Sequence, residues 1–364
     1  MPPQNAPMLG WIVALLGPFC LLGVLGFHFP ELLTSREFRQ VYSEDFARSL
    51  LLAGLVATFL LGTFSLLRGR GRGLSLLGIG CATLALLLGG ATVEFEPIRP
   101  TPFSLGLDWF LISLLASALV FIPIERMRSA HPQAVLRPEW RTDLAYFFVG
   151  HVLIQFILIS VTSFTSAVLS LALYPPLQSA IQLLPVWLQF LLAVFVADLT
   201  QASVHRAYHR YPLLWRFHAV HHSSRSLDWL AGSRMHLLEI LCTRSLVLLP
   251  LLWLGFTPAV VNAYVILVGL QAVLAHANLG LRFGWLEQVL VLPRYHHWHH
   301  ASDPAYAHCN FAIHLPLVDR LLRSYKLPAD GSWPEHYGLH DPDAVPQGIL
   351  RQHWHPFMPQ RGGS

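Results

Sequence analysis

Charge is scarce in this chain. Only 12% of its residues are Asp, Glu, Lys or Arg, against 54% hydrophobic. A soluble domain usually carries about 25% charged residues, so this deficit, with a mean hydropathy of +0.49, argues for a membrane protein. A formal net charge of +4 with His neutral is too small to suggest a nucleic-acid partner. Cysteine is scarcer still, four residues in 364. Cys20, Cys81 and Cys242 sit in apolar stretches and Cys309 stands alone. With no CxxC, neither a thiolate zinc site nor a disulfide framework is indicated, and all four are read as passive. HExxH is missing, which excludes the usual metalloprotease pattern. The Cys-containing signature of zinc deaminases is missing too, as is a Gly-rich dinucleotide fingerprint. No basic residue precedes the first apolar run, so that run reads as a retained membrane helix rather than a signal peptide.

Long apolar runs are abundant. A spanning helix needs roughly 20 apolar residues, and six stretches qualify: about Leu9–Phe29, Ala47–Leu67, Gly73–Val93, Phe103–Ile124, Leu144–Leu173 and Ala180–Leu199. A later pair, Leu237–Leu254 and Pro258–Ala275, flanks the turn Gly255-Phe256-Thr257-Pro258 and is either a spanning or a re-entrant hairpin. Cytoplasmic loops collect Lys and Arg. Arg68, Arg70 and Arg72 therefore mark one loop as inside, and Arg126, Arg128, Arg137 and Arg141 mark a second. The acidic loop of Glu94 and Glu96 and the Tyr174-Pro175-Pro176 turn fall outside. Asp108 and His151, ionisable residues near span ends, read as interfacial.

Histidine is the exception to the shortage of polar chemistry. Seventeen of the 20 histidines follow residue 200. Eight form three groups with helical spacing: His205 and His209; His218, His221 and His222; His296, His299 and His300. Positions three and four apart lie on one helix face, so each group is expected to aim its rings at one spot. The span count puts all three groups on the cytoplasmic side. Eight imidazoles without thiolate or carboxylate suit more than one ion, and imidazole serves Fe, Zn, Cu and Ni. His297 falls off the shared face and is read as a non-ligand. Asp198, seven residues before His205, shares its face; it either orients an imidazole N–H or takes another N–H or Arg partner. His336, His340, His353 and His355 lack this grouping and belong to a peripheral tail.

At these residues the chain resembles the fatty acid hydroxylase / sterol desaturase superfamily of membrane di-iron enzymes, over about Asp198 to Tyr325. The likeness runs through His205-Arg206 and His209, Phe217-His218 to Ser224, Arg234-Met235-His236 with Glu239, His276-Ala277-Asn278, Pro293 to His300, Asn310-Phe311-Ala312 and Asp319-Arg320-Leu321. Leu237 stands where the family has proline, and Ala312 where it tends to have glycine. The resemblance implies that His236 and His276 complete the metal shells, with Asp198, Glu239 and Asn310 supporting them and His308 and His314 as outer candidates. It also implies two Fe ions, O2 as co-substrate, a membrane lipid substrate (sterol, fatty acyl, sphingoid or related) and a separate electron donor, a ferredoxin or a cytochrome with its reductase. The expected fold is all-α, a polytopic transmembrane bundle with a cytosolic histidine-rich helical cap holding a di-metal site. Its parts are N-terminal membrane helices over residues 1–140, a catalytic domain over 141–326 and a tail over 327–364. The rival readings are a membrane zinc or iron transporter, a metal sensor, or a zinc hydrolase.

Overall fold

The computed structural model describes residues 8–34, 43–69, 71–94, 107–169 and 173–359. Arg70, Phe95, Glu96 and the side chain of Asp108 lie outside the described set. Among the described residues the chain is helical, with one isolated bridge, Ala301 to Tyr337, in place of any strand. It divides into two compact units: Met1–Val135 with Phe147–Gln155, and Leu136–Tyr146 with Phe156–Ser364.

The first unit is built on α1 (Met8–His28), α2 (Glu44–Leu67), α3 (Arg72–Leu87) and α4 (Leu107–Arg128). In lipid, small residues let helix backbones approach and gain dispersion contact. Gly17 of α1 meets Gly78 of α3 so closely that a Cβ on Gly17 would lie 2.0 Å from the Gly78 carbonyl oxygen. Nearby, the Ser75 hydroxyl donates to Ser65 Oγ at 2.8 Å in a buried pair.

The single span expected at Leu144–Leu173 is instead two helices, α5 (Trp140–Val152) and α6 (Ile154–Leu169); residues 170–172 lie outside the described set. The second unit continues with α7 (Pro175–Gln182), α8 (Val186–Arg210) and α9 (Pro212–His218). Then come α10 (Leu237–Trp253), α11 (Pro258–His276), α12 (Pro293–His299), α13 (Pro316–Leu321) and α14 (Ile349–Trp354). Helix α8 is the pillar, packed on α10, α11 and α13, and α12 packs on α11. Ala202 and Ala275 sit in a buried cluster with Val291, Tyr295, Phe311 and Val318. The turn expected between α10 and α11 is there. Gly255 takes φ 79°, a conformation that favours glycine, and a Cβ would come within 2.5 Å of Gln178 Cβ. Residues 327–359, read from the sequence as a separate tail, belong to the same compact unit, with Val345, Gln352 and His355 buried.

Six described helical segments are long and apolar enough to cross a membrane: Met8–His28, Glu44–Leu67, Arg72–Thr92, Trp109–Arg128, Val186–Arg210 and Pro258–His276. The chain is a multi-pass membrane protein. Two of these segments, α8 and α11, end in the histidines considered next.

Candidate metal centre

Nine buried imidazoles gather where these helices end. His205 and His209 lie one turn apart near the end of α8, and His276 is the last residue of α11. His296 and His299 are on α12, with His300 as its C-cap. His218 closes α9, while His221 and His222 follow in a short 3-10 turn, so that triplet is not carried by one continuous α-helix.

The rings form two groups. His205, His209, His218, His222 and His299 make one; His221, His276, His296 and His300 make the other; within each, one ligating atom per ring lies within 4.8 Å of all the rest. The two triplets therefore do not each aim at one spot. Each splits two and one between the groups. For the second triplet the reason is helical: at roughly 100° per residue, i and i+4 diverge by about 40° while i+3 and i+4 diverge by about 100°, so His296 and His300 keep to one side and His299 swings to the other. In the first, the chain leaves α9 at His218 and enters the 3-10 turn that carries His221 and His222, and that turn makes the division. The groups adjoin, the His222 and His300 rings stacking at 4.4 Å between centroids.

Proton accounting shows what the groups lack. His205, His209 and His299 donate through Nδ1 to the carbonyls of Phe311 (2.9 Å), Ala307 (2.9 Å) and Cys309 (2.8 Å). His221 and His276 donate likewise to Arg234 (3.0 Å) and Ala272 (2.8 Å), and His218 Nδ1 meets Glu239 Oε1 at 2.6 Å. A neutral imidazole carries one N–H, so in the five that donate to carbonyls the Nε2 is a bare lone pair. Burial raises the Glu239 carboxyl to about 8, and His218 is bare at Nε2 when that carboxyl is ionised. Yet His205 and His218 face each other Nε2 to Nε2 at 2.9 Å, and His221 and His276 at 3.4 Å. Two acceptors at that distance repel unless a cation lies between. Nitrogens about 2.0–2.1 Å from a shared ion lie roughly 2.8–3.0 Å apart along an octahedral edge and roughly 3.3–3.4 Å along a tetrahedral one. The Nε2 atoms of His209, His222 and His299 are buried with no hydrogen-bond partner among the described residues. The donor set fits two metal ions.

Burial first, then the neighbouring imidazoles, holds His218, His221, His222, His296, His299 and His300 well below their ordinary value of 6.5. They are neutral at physiological pH, the state a ligand needs. Burial also raises the Cys309 thiol to about 12, and its Sγ–H donates to the Tyr306 carbonyl at 3.2 Å. The residue's contribution here is its backbone oxygen.

The carbonyls that orient the rings are themselves held. Asp198 touches no imidazole. Its carboxylate accepts the backbone N–H groups of Ile313, His314 and Leu315 at 2.8, 3.1 and 2.7 Å. Asp319 accepts from Phe311 and Ala312 N–H and from the hydroxyls of Tyr295 and Ser324. Asn310 takes φ 59°, the left-handed turn in this loop, and spans Tyr295 and Lys326 with its amide. Ala312 needs no positive φ, so the alanine is accommodated. On the other flank Arg137 and Arg234, both fully buried, share Asp143, at 2.6 Å each. Arg137 also meets Asp228 at 2.7 Å and Arg234 meets Glu139 at 2.9 Å. Breaking such a network strands a buried charge, so it fixes the turn whose Arg234 carbonyl aims His221. Nothing in the local sequence marks these five residues as a unit, because they lie up to 97 positions apart (from Arg137 to Arg234).

His236 lies outside both groups. It is the N-cap of α10, its Nδ1 accepting from Leu238 N–H at 3.1 Å while Nε2 donates to the His353 carbonyl at 3.1 Å. Both ring nitrogens are in use, which leaves none for a metal. His297 also turns away, taking the Tyr337 hydroxyl at Nδ1 (2.7 Å) and donating to the His276 carbonyl. His308 is exposed. His314 is buried beside Tyr264, its ring nitrogens without a hydrogen-bond partner among the described residues.

A cavity of about 80 Å3 opens on the rings of His205, His218, His221, His276 and His296, and runs between α8, α10 and α11 past Ile240, Val268 and Ala272. It gives a mostly apolar approach from the helices to the two imidazole groups.

Residues 190–324 match the model of the fatty acid hydroxylase family. The chain is 28% identical over 281 residues to an ornithine lipid hydroxylase, OlsE, of Rhizobium tropici, covering 75% of this chain and 82% of the relative. No solved structure matches.

Proposed function

We propose that the chain, which matches the fatty acid hydroxylase family over residues 190–324, is a member of that superfamily and a membrane di-iron enzyme that hydroxylates a lipid C–H bond with O2. The observation that carries this is the pair of imidazole groups whose inward nitrogens face one another at 2.9 to 3.4 Å. Iron bound there supplies dioxygen activation; the protein supplies position and exclusion. The balance is one C–H bond, one O2, two electrons and two protons giving one C–OH and one water. The electrons come from a separate donor, a ferredoxin or a cytochrome with its reductase. His205, His209, His218, His222 and His299 hold one ion, and His221, His276, His296 and His300 the other. The carbonyl contacts at Nδ1 of His205, His209, His221, His276 and His299 fix ring orientation and keep those Nε2 atoms free of a proton, and the Glu239 contact orients His218. Burial keeps bulk water away. A hydroxylase among the relatives favours hydroxylation over desaturation and a lipid over other hydrocarbons. The arginines at residues 68–72 and 126–141 favour a cytoplasmic metal centre by the positive-inside rule.

The test is purification in detergent, metal analysis and turnover with membrane lipid extract, a reductant and 18O2. Two tightly held irons per chain, and a product heavier by one oxygen derived from O2, are expected. Loosely exchanged zinc would support a transporter or sensor instead, and turnover independent of O2 a zinc hydrolase.

A further inference from the structure

The metal-facing cavity is lined by a cation, Arg244, with no ion-pair partner among the described residues. Arg244 lies on α10 and lines the cavity together with Gln201, Thr243 and Gln271. Of the nearby acids, Asp198 is taken up by the backbone of residues 313–315. Glu239, which also lines the cavity, bonds His218 through Oε1, while its Oε2 makes no hydrogen bond to Arg244 or to any other described residue. Among the described residues Arg244 has no hydrogen bond and no ion pair, whereas the other cavity-lining groups mostly do. Gln271 donates to the Val291 carbonyl and Thr243 to Tyr208 Oη. Gln201 Oε1, one turn before His205 on α8, is buried without a partner. The Tyr264 hydroxyl and both His314 ring nitrogens are likewise buried and unpartnered, and the guanidinium acts on both residues electrostatically. Arg244 is half-buried, so its guanidinium stays charged while lining a mostly apolar cavity beside an unpartnered buried Gln201 oxygen, a placement that makes it a functional candidate.

We propose that Arg244 is a specificity-determining residue that binds an anionic oxygen group of the substrate, a carboxylate or a phosphate, as the reacting carbon enters the metal centre. This deepens the hydroxylase reading and rests on it for the word substrate. The planar guanidinium offers two parallel N–H donors to such a group, and Gln201 lies across the same cavity as a further polar contact. Arg244 follows Glu239 by five residues, about 7–8 Å along the helix at 1.5 Å per residue. The anionic group is thereby held a few bonds from the carbon presented to the ions. The cavity, about 80 Å3, is well below the roughly 300 Å3 of an ordinary ligand pocket. It accepts the charged end of a lipid and leaves the acyl chains outside.

The experiment measures binding to the metal-loaded protein in neutral detergent by scintillation proximity, using two matched pairs: oleate against oleyl alcohol, and oleoyl lysophosphatidate against monoolein. The wild type is expected to prefer the anion by about tenfold or more in at least one pair, the scale of a charge-assisted hydrogen bond. The pair that discriminates identifies carboxylate or phosphate. Arg244→Gln should reduce the preference to within about twofold with metal content unchanged, and Arg244→Lys should retain most of it. His209→Ala, which removes metal and turnover, should keep it, so a failure of the oxygenase reading leaves the binding result legible. No preference in either pair, or an undiminished preference in Arg244→Gln, overturns the proposal. So does a preference that appears only in vesicles containing phosphatidylglycerol, which would mean that Arg244 meets bulk headgroups.

Discussion

His221 and His276 face each other Nε2 to Nε2 at 3.4 Å, and each has already committed its single proton at Nδ1, one to the Arg234 carbonyl and the other to the Ala272 carbonyl. The metal-free protein therefore stores a repulsion that an ion relieves. Binding to the folded state alone stabilises it by mass action. Removing metal with a chelator should lower the melting temperature in detergent substantially, and restoring Fe(II) should recover it.

That metal-free form has a definite pH dependence. The six ligand histidines outside the spanning helices are held well below 6.5 by burial, whereas in the unfolded chain they titrate near 6.5. Below that value the unfolded state binds more protons than the folded one, so stability falls. Above it the two states bind alike and these groups contribute no slope. Thermal unfolding of chelated protein from pH 8 to 5 should be flat down to about pH 6.5 and then decline. A rise in melting temperature on acidification would contradict neutral buried rings.

His209→Ala and His236→Ala separate ligand from scaffold. His209 presents a bare Nε2 to its group, so its loss should abolish oxidation and reduce iron at the five-histidine site. His236 serves the N-terminus of α10 and the His353 carbonyl. An N-cap is worth roughly 0.5–2 kcal/mol, so His236→Ala should cost stability of that order and leave two irons bound. Iron analysis with a melting curve decides between them.

Glu239 bonds His218 Nδ1 at 2.6 Å and is buried. Replacing the carboxylate lowers the basicity of the ligand, and such losses typically cost 10–100-fold in metal affinity or activity. Glu239→Gln should sit near the lower end, because the amide oxygen still accepts the N–H. Glu239→Ala should sit near the upper end, because the N–H is left buried without an acceptor. Competition with a calibrated chelator would measure both; equal affinities in the two variants would show that the charge, not the hydrogen bond, matters.

The histidine clustering is legible in the sequence because three- and four-residue spacing maps directly onto a helix surface. The division into two groups is not, since it depends on angular offsets within α12 and on the 3-10 turn after α9, which a motif does not display. Asp198 was visible as an acid on the His205 face, but its partners are backbone N–H groups more than a hundred residues later, and backbone donors leave no residue-type signal. The same holds for the carbonyls of Ala307, Cys309 and Phe311. His236 looked like a ligand by resemblance alone; its role as an N-cap is a matter of φ and ψ. The break between α5 and α6 falls inside a mostly apolar run, with His151 and Gln155 on either side, where averaged hydropathy does not register it.

Gly232 offers the sharpest test of the second ion. A Cβ there would lie 2.7 Å from His276 Nδ1 and 3.0 Å from the Ala272 carbonyl oxygen, wedged into the hydrogen bond that orients the ring. The carbonyl belongs to α11 and cannot yield, so either the His276 ring rotates or the turn Ala231–Ser233 shifts. A shift moves the adjacent Arg234 carbonyl, which holds His221. Both histidines belong to the four-imidazole group, so either relaxation strikes the same ion. Gly232→Ala should lower tightly bound iron from two per chain toward one and abolish turnover, while the melting temperature of the chelated protein changes little. Gly269→Ala on α11 is the control, since a Cβ there meets no atom within 4 Å and alanine favours the helix. Two irons retained in Gly232→Ala with normal turnover would mean that His276 is not a ligand.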